Sequence, residues 1–214
     1  MTLPFTHAQF LDVLAAYNAA LWPVAALLWL ATLVAVVRLL RGRARASGMA
    51  ALLALHWAWS GIAYHAVFFT RINPAAWGFA GLFVLGAAAF AWYGMVRHRL
   101  AFDIGWTPRH VLAGVFIVYA LAYPGLVLLT GLQWPRMPGF GVPCPTTLFT
   151  AGLLLAAVPP VPRWVFVAPI LWAVIGGSAA VTLGVTPDYM LFVAAAAMLG
   201  YAIKPDMLAP ERAA

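Results

Sequence analysis

The run AALWPVAALLWLATLVAVVRLLRGRAR, residues 19–45, decides the fold class. Residues 19–37 carry no charge, and the run closes on Arg38, Arg41, Arg43 and Arg45. A helix needs ~20 apolar residues to cross a hydrocarbon layer ~30 Å thick, and arginines collect on its cytoplasmic flank. The same pattern recurs along the chain, with spans at about 19–40, 48–70, 74–96, 108–130, 145–158, 163–184 and 187–203. Over 214 residues, 65% are hydrophobic and 8% charged. That composition makes lipid the solvent for most of the surface. The expectation is an all-α, polytopic membrane helix bundle: one transmembrane domain over 1–214, with seven spans, N-terminus outside and C-terminus cytoplasmic.

Punctuation between the runs supports these limits. The second span stops near Arg71, and Asn73-Pro74 reads as an N-cap followed by proline in the first turn, where a missing N–H costs nothing. Thr107-Pro108 and Thr186-Pro187 repeat the device before the fourth and seventh spans. Ahead of the first span, Thr6 and Gln9 fit a capping box, with Phe5 and Phe10 as its hydrophobic staple. Phe10, Leu11, Leu14 and Tyr17 would share one face, so residues 1–18 are expected to form a short amphipathic helix lying at the interface. A plain extension of the first span is the alternative.

The fifth and sixth spans are irregular. Cys144-Pro145 opens the fifth, and Pro159, Pro160 and Pro162 force its end. The remaining helix is only ~21 Å long. It therefore fails to cross alone, thins the bilayer, or is completed by a flanking loop that dips in. In the sixth span, Pro169 and Gly176-Gly177-Ser178 predict a kink or a close helix contact.

Seven crossings place Arg38, Arg41, Arg43, Arg45, Arg97, Arg99, Arg109, Arg163, Lys204 and Arg212 inside, against Arg71 and Arg136 outside. If the fifth helix turned back, the ratio would fall from ten against two to seven against five. The positive-inside bias favours seven crossings. It also gives the net charge of +7 a topological meaning, because these arginines sit in short loops rather than along one face, and nucleic acid is not an expected partner. The single cysteine, Cys144, excludes an internal disulfide and a cysteine-only metal cage.

The second span carries the most polar stretch expected inside the membrane, Leu55-His56-Trp57-Ala58-Trp59-Ser60-Gly61-Ile62-Ala63-Tyr64-His65. Intramembrane ionisable residues are expensive and so are functional candidates. In a regular helix His56 and His65 lie on opposite faces, ~13 Å apart along the axis, and cannot hold one ion together. His56, Ser60 and Tyr64 share a face and could form a polar track. Each histidine can be read as a proton relay, a haem or metal ligand or a solute contact. Equally, each can be a neutral ring hydrogen-bonded to a neighbouring helix.

The Pro/Gly-rich segment 133–147 is the longest outer connection and feeds a helix N-terminus at Cys144. That position favours an anion or a thiolate, although a small packed residue there is the plainer reading. Arg71 and Arg136 are candidate outer anion contacts, or simply partners for Asp12 and Asp188. The acids Asp12, Asp103, Asp188, Asp206 and Glu211 are all expected at span ends or in loops, which argues against cation coupling through a buried carboxylate. Lys204, at the inner end of the last span, is misplaced for a retinal Schiff base. The sequence contains no P-loop, no HExxH and no plausible Ser/His/Asp set.

Several segments together resemble a family of bacterial polytopic inner-membrane proteins of unknown function. They are Phe5 to Asn18 running into Ala20-Leu21-Trp22-Pro23, Trp57-Ala58-Trp59 to His65, Ile72-Asn73-Pro74-Ala75-Ala76, and Gly141-Val142-Pro143-Cys144-Pro145-Thr146. The resemblance implies a bacterial, multi-helix membrane protein and carries no activity or site residues with it. The leading functional expectation is a small-solute transporter or channel-like protein using His56, Ser60, Tyr64, His65 and Cys144, with no cofactor required. A haem- or metal-bearing redox protein using His56 or His65 is the first alternative. A non-catalytic subunit or lipid-binding scaffold is the second.

Overall fold

The computed structural model describes residues 4–205. Asp206, Glu211 and Arg212 fall outside the described residues, so the inner placement of Arg212 has no structural counterpart. The described residues form seven α-helices: α1 His7–Leu40, α2 Ala46–Trp59, α3 Ala76–Phe90, α4 Pro108–Leu128, α5 Pro143–Leu155, α6 Trp164–Leu183 and α7 Met190–Ile203. A π-helical stretch, Ser60–Phe68, and a 3-10 turn, Phe69–Arg71, continue α2. A second π stretch, Ala91–Val96, continues α3, and a 3-10 turn, Thr186–Tyr189, leads into α7.

Six of the seven helical units are long and apolar enough to cross a membrane, which describes a multi-pass membrane protein; α5 is the short one. Their outer faces carry many large apolar side chains. Leu85 and Val118, for example, are 70% and 66% exposed. A helix that is apolar all round needs either protein or lipid on every side.

Capping explains several helix starts. Thr6 accepts from the Gln9 N–H while the Gln9 side chain accepts from the Thr6 N–H, at 3.2 and 2.8 Å, and the Phe5 and Phe10 rings lie 6.4 Å apart as the staple requires. Thr107 caps α4 with Pro108 in its first turn. Asn73 acts slightly upstream of its helix: its side chain accepts from the Ala75 N–H at 3.1 Å, and α3 begins at Ala76. One expectation fails here. No break separates a surface helix from the first span, because α1 runs unbroken through residue 18 to Leu40. Its 34 residues extend ~51 Å, well beyond a ~30 Å hydrocarbon layer. Nothing between Thr6 and Leu40 terminates the helix; Pro23 is carried inside it.

The short α5 is the centre of the bundle. Twelve of its thirteen residues are buried, Cys144 alone being intermediate. It runs antiparallel to α4 at close range. A Cβ on Gly152 would stand 2.6 Å from Ile117 Cγ1 and 2.8 Å from the Ala113 carbonyl. Small residues allow this approach where apolar helices gain little from expelling lipid.

Two devices make up for α5's missing length. At its C-terminal end, the buried Arg109 guanidinium donates to the Leu155 and Ala157 carbonyls at 2.7 and 2.6 Å and to the Tyr201 hydroxyl at 3.1 Å. Arg109 is thus an internal cap rather than a loop charge, as its count among the inner arginines had implied. At the other end, the segment leading into α5 folds into the bundle. Asn18 donates to the Pro135 and Met137 carbonyls at 2.7 and 2.8 Å, Ser60 donates to the Gly141 carbonyl at 3.1 Å, and Phe140 packs edge-on against His56. Irregular backbone is tolerated at membrane depth when protein surrounds it. The segment is thus packed against α1 and against α2 with its π continuation.

The helices alternate in direction, so the described basic residues 38–45, 97–99, 109, 163 and 204 sit at one end of the bundle with Ala157 and Tyr201. Arg71 and Arg136 sit at the other.

Candidate functional site

The end that carries Arg71 and Arg136 holds a cavity of about 440 Å³. It opens between the start of α1, the π stretch after α2, the start of α5, α6 and the turn before α7. Most of its lining is apolar. Its polar groups are Tyr64, His65, Asn73, Cys144, Ser178, Thr182 and Asp188, together with the indole N–H of Trp172.

His65 reaches this cavity through the π geometry. A π turn takes more residues than an α turn, so residues after Ser60 rotate away from their regular positions, and π segments often mark functional sites. His65 is fully buried among aromatic rings, with Trp172 at 4.8 Å, Phe83 at 5.1 Å and Phe79 at 5.6 Å. Neither of its ring nitrogens has a hydrogen-bond partner among the described residues. The Trp172 indole N–H lies beside the Cys144 thiol, but without hydrogen-bond geometry to any described residue. Buried polar atoms are satisfied in the great majority of cases, so two such side chains lining one cavity are informative.

Asp188 corrects two expectations. It does not pair with an outer arginine and it is not loop-exposed: only 6% of it is accessible. The Thr186–Tyr189 turn directs it inward, where the Tyr123 hydroxyl donates to Oδ1 and the Cys144 thiol lies beside the same carboxylate. The bundle therefore does contain a buried acid. Among the described residues, no arginine or lysine lines the cavity with it. Of the two expected acid–arginine pairs, the exposed one exists: Arg136 meets Asp12 at 2.9 Å. Arg71 instead donates to the Val67 carbonyl at 3.0 Å and lies over the Phe68 ring at 4.8 Å.

Tyr64, His65 and Cys144 are thus brought together, whereas His56 and Ser60 lie outside the cavity. The proposed track of His56, Ser60 and Tyr64 is not linked by hydrogen bonds. Ser60 bonds to Gly141 and Thr146. His56 meets Thr32 at 2.8 Å. The single Thr32 hydroxyl proton goes to the Leu28 carbonyl at 2.7 Å, so His56 Nε2 is the donor in that contact. His56 Nδ1 is left as a buried acceptor without a partner among the described residues.

Among the described residues, no group of three or more His, Cys, Asp or Glu side chains could hold a metal ion. His56 faces α1 and α5 while His65 faces α3 and α6, so the two histidines serve separate environments. Sequence reasoning missed Asp188, Tyr123 and Trp172. Only Asp188 carried a local signal, as the acid following a Thr-Pro helix start.

No curated protein and no solved structure matches the chain. A family model does match residues 7–211, and the chain accordingly belongs to DUF6064, a family of unknown function.

Proposed function

We propose that this multi-pass protein of the bacterial inner membrane binds a small solute in the cavity beside His65 and carries it across the bilayer. The arginine-rich end would face the cytosol, following the positive-inside rule, which puts the cavity at the outer face. The observation that carries the reading is a fully buried histidine whose two ring nitrogens have no hydrogen-bond partner among the described residues, lining a cavity of about 440 Å³. Small-molecule sites are concave, mostly apolar, ~300–1,000 Å³ in size and supplied with a few polar groups.

Beyond the cavity, an aromatic cluster fills the core between α2 and α3. Trp57 stacks on Phe83 at 4.4 Å and tilts against Phe90 at 5.9 Å, and all three are fully buried. That packing supports an occluded site served by alternating access over an open pore. The non-α stretches after α2 and α3 are elements that such a movement could use.

The test is a ligand screen on protein in lipid nanodiscs, followed by uptake of the hits into proteoliposomes. Ala179 lines the cavity, and Ala179→Phe would fill it. Binding and uptake are expected for the native chain and lost in Ala179→Phe. Hits that bind both proteins equally, or uptake no faster than in protein-free vesicles, would overturn the proposal.

A further inference from the structure

The geometry points to a lipophilic monovalent cation as the occupant of this cavity, exchanging with a proton at Asp188. The inference rests on the reading of the cavity as a solute site and adds the chemical class of the solute.

Three features carry it. First, the carboxylate is buried and lines the cavity, and among the described residues no arginine or lysine lines the cavity with it; the Tyr123 hydroxyl donates to it and the Cys144 thiol lies beside it. A buried ionised carboxylate is stable only when a counter-charge accompanies it, and otherwise it takes up a proton. These neighbours soften that demand without cancelling the charge. Second, the wall is aromatic: Phe5, Phe10, Tyr64, Phe69, Phe79 and Trp172 all line it. Ring faces attract cations, most strongly once both are withdrawn from water. Third, His65 offers an unpartnered ring nitrogen as an acceptor, and the remaining surface suits an apolar body. An anionic solute would find a carboxylate and no cation here. A neutral one would leave Asp188 protonated and its charge unused.

The exchange balances simply. The protonated Asp188 carboxyl releases one proton to the aqueous side as one monovalent cation enters, and the net charge of the site is unchanged. The titratable groups facing Asp188 are Tyr119 and Tyr123 from α4, Cys144 from α5, and Tyr64 from the π stretch; His65 shares the cavity. Below the carboxyl's titration range Asp188 is neutral and cation binding is weak; above it the carboxylate is formed and binding is strong. A protonated His65 would also oppose a cation at low pH, so the two contributions must be separated.

The probes are benzyltrimethylammonium and its uncharged carbon isostere neopentylbenzene, titrated into the full chain in lipid nanodiscs by calorimetry. At about pH 8.5 the cation should bind at least about tenfold tighter than the isostere, a ratio equivalent to one counter-charged contact. At about pH 5, with the buried carboxyl carrying its proton, that preference should fall to within about twofold. Asp188→Asn should remove the preference at both pH values while isostere binding persists. His65→Gln, which cannot titrate, should keep the pH dependence. Isostere binding as strong as cation binding in the native chain at about pH 8.5 would overturn the cation assignment and leave the solute site standing. A cation preference unchanged in folded Asp188→Asn would do the same. The native-chain comparison of the two probes decides the matter even if that variant does not fold. Binding of neither probe to the native chain would overturn the cation assignment, whereas failure of the broad screen and of the Ala179→Phe comparison would overturn the site itself.

Discussion

The Arg109 guanidinium, one residue into α4, donates at 2.6 Å to the carbonyl of Ala157, just beyond the end of α5. Together with its bond to Leu155, this contact ties the C-terminal end of the shortest helix to the N-terminal end of its closest neighbour. Four carbonyls at a helix end lack partners within the helix, and inside an apolar bundle each must find one elsewhere. A planar guanidinium with several N–H groups serves one of them, the carbonyl just past the helix end and a tyrosine hydroxyl at once.

Replacing Arg109 with Met should therefore destabilise the bundle by about 3 kcal/mol, because two buried carbonyls lose charge-assisted donors. Arg109→Lys should recover only part of that loss, since an ammonium cannot reproduce the fork. Denaturant unfolding of the protein in micelles measures both variants. A loss under about 1 kcal/mol for Met would mean that α5 is held by packing alone.

The α4–α5 contact predicts opposite outcomes for two glycines. Gly152→Ala places a Cβ 2.6 Å from Ile117 Cγ1 and 2.8 Å from a backbone carbonyl. Helix separation should then cost about 1–3 kcal/mol. Gly114 lies in α4 with nothing within 4 Å of its would-be Cβ. Gly114→Ala should be neutral or stabilise by up to about 1 kcal/mol through helix propensity. Thermal unfolding of the pair in one detergent checks the contrast, and equal effects would contradict the packing.

The His56–Thr32 contact predicts coupling. Thr32→Val leaves the His56 Nε2–H buried without an acceptor and should cost about 1–3 kcal/mol. His56→Leu in the same background removes the orphaned donor and should restore part of that stability. A double-mutant cycle measures the interaction directly. Strictly additive effects would show that the two side chains are adjacent without being bonded.

How much was legible in the chain follows the range of each interaction. The Thr6–Gln9 box and the Thr107 cap were readable because both partners lie within one turn. The membrane class was readable because hydropathy sums over residues irrespective of their neighbours. His65 and Cys144 could be nominated as residue types, but their convergence depends on a π stretch and an inserted loop. Asp188 was misplaced because a position next to a span end can face either solvent or the bundle, and sequence distance to an arginine does not choose between them. Arg109 was counted as a topology charge for the same reason.

By itself, then, the sequence determined an all-helical chain with membrane-length apolar segments, their punctuation, and the sorting of most arginines to one end. Those properties depend on local capping and on transfer free energies that add along the chain. Only the tertiary structure decided that the short α5 is the buried axis, that Arg109 caps it, and that Asp188, Cys144 and His65 share a cavity. Each of these depends on contacts between residues far apart in the chain, and an apolar helix does not encode which of its faces meets protein and which meets lipid.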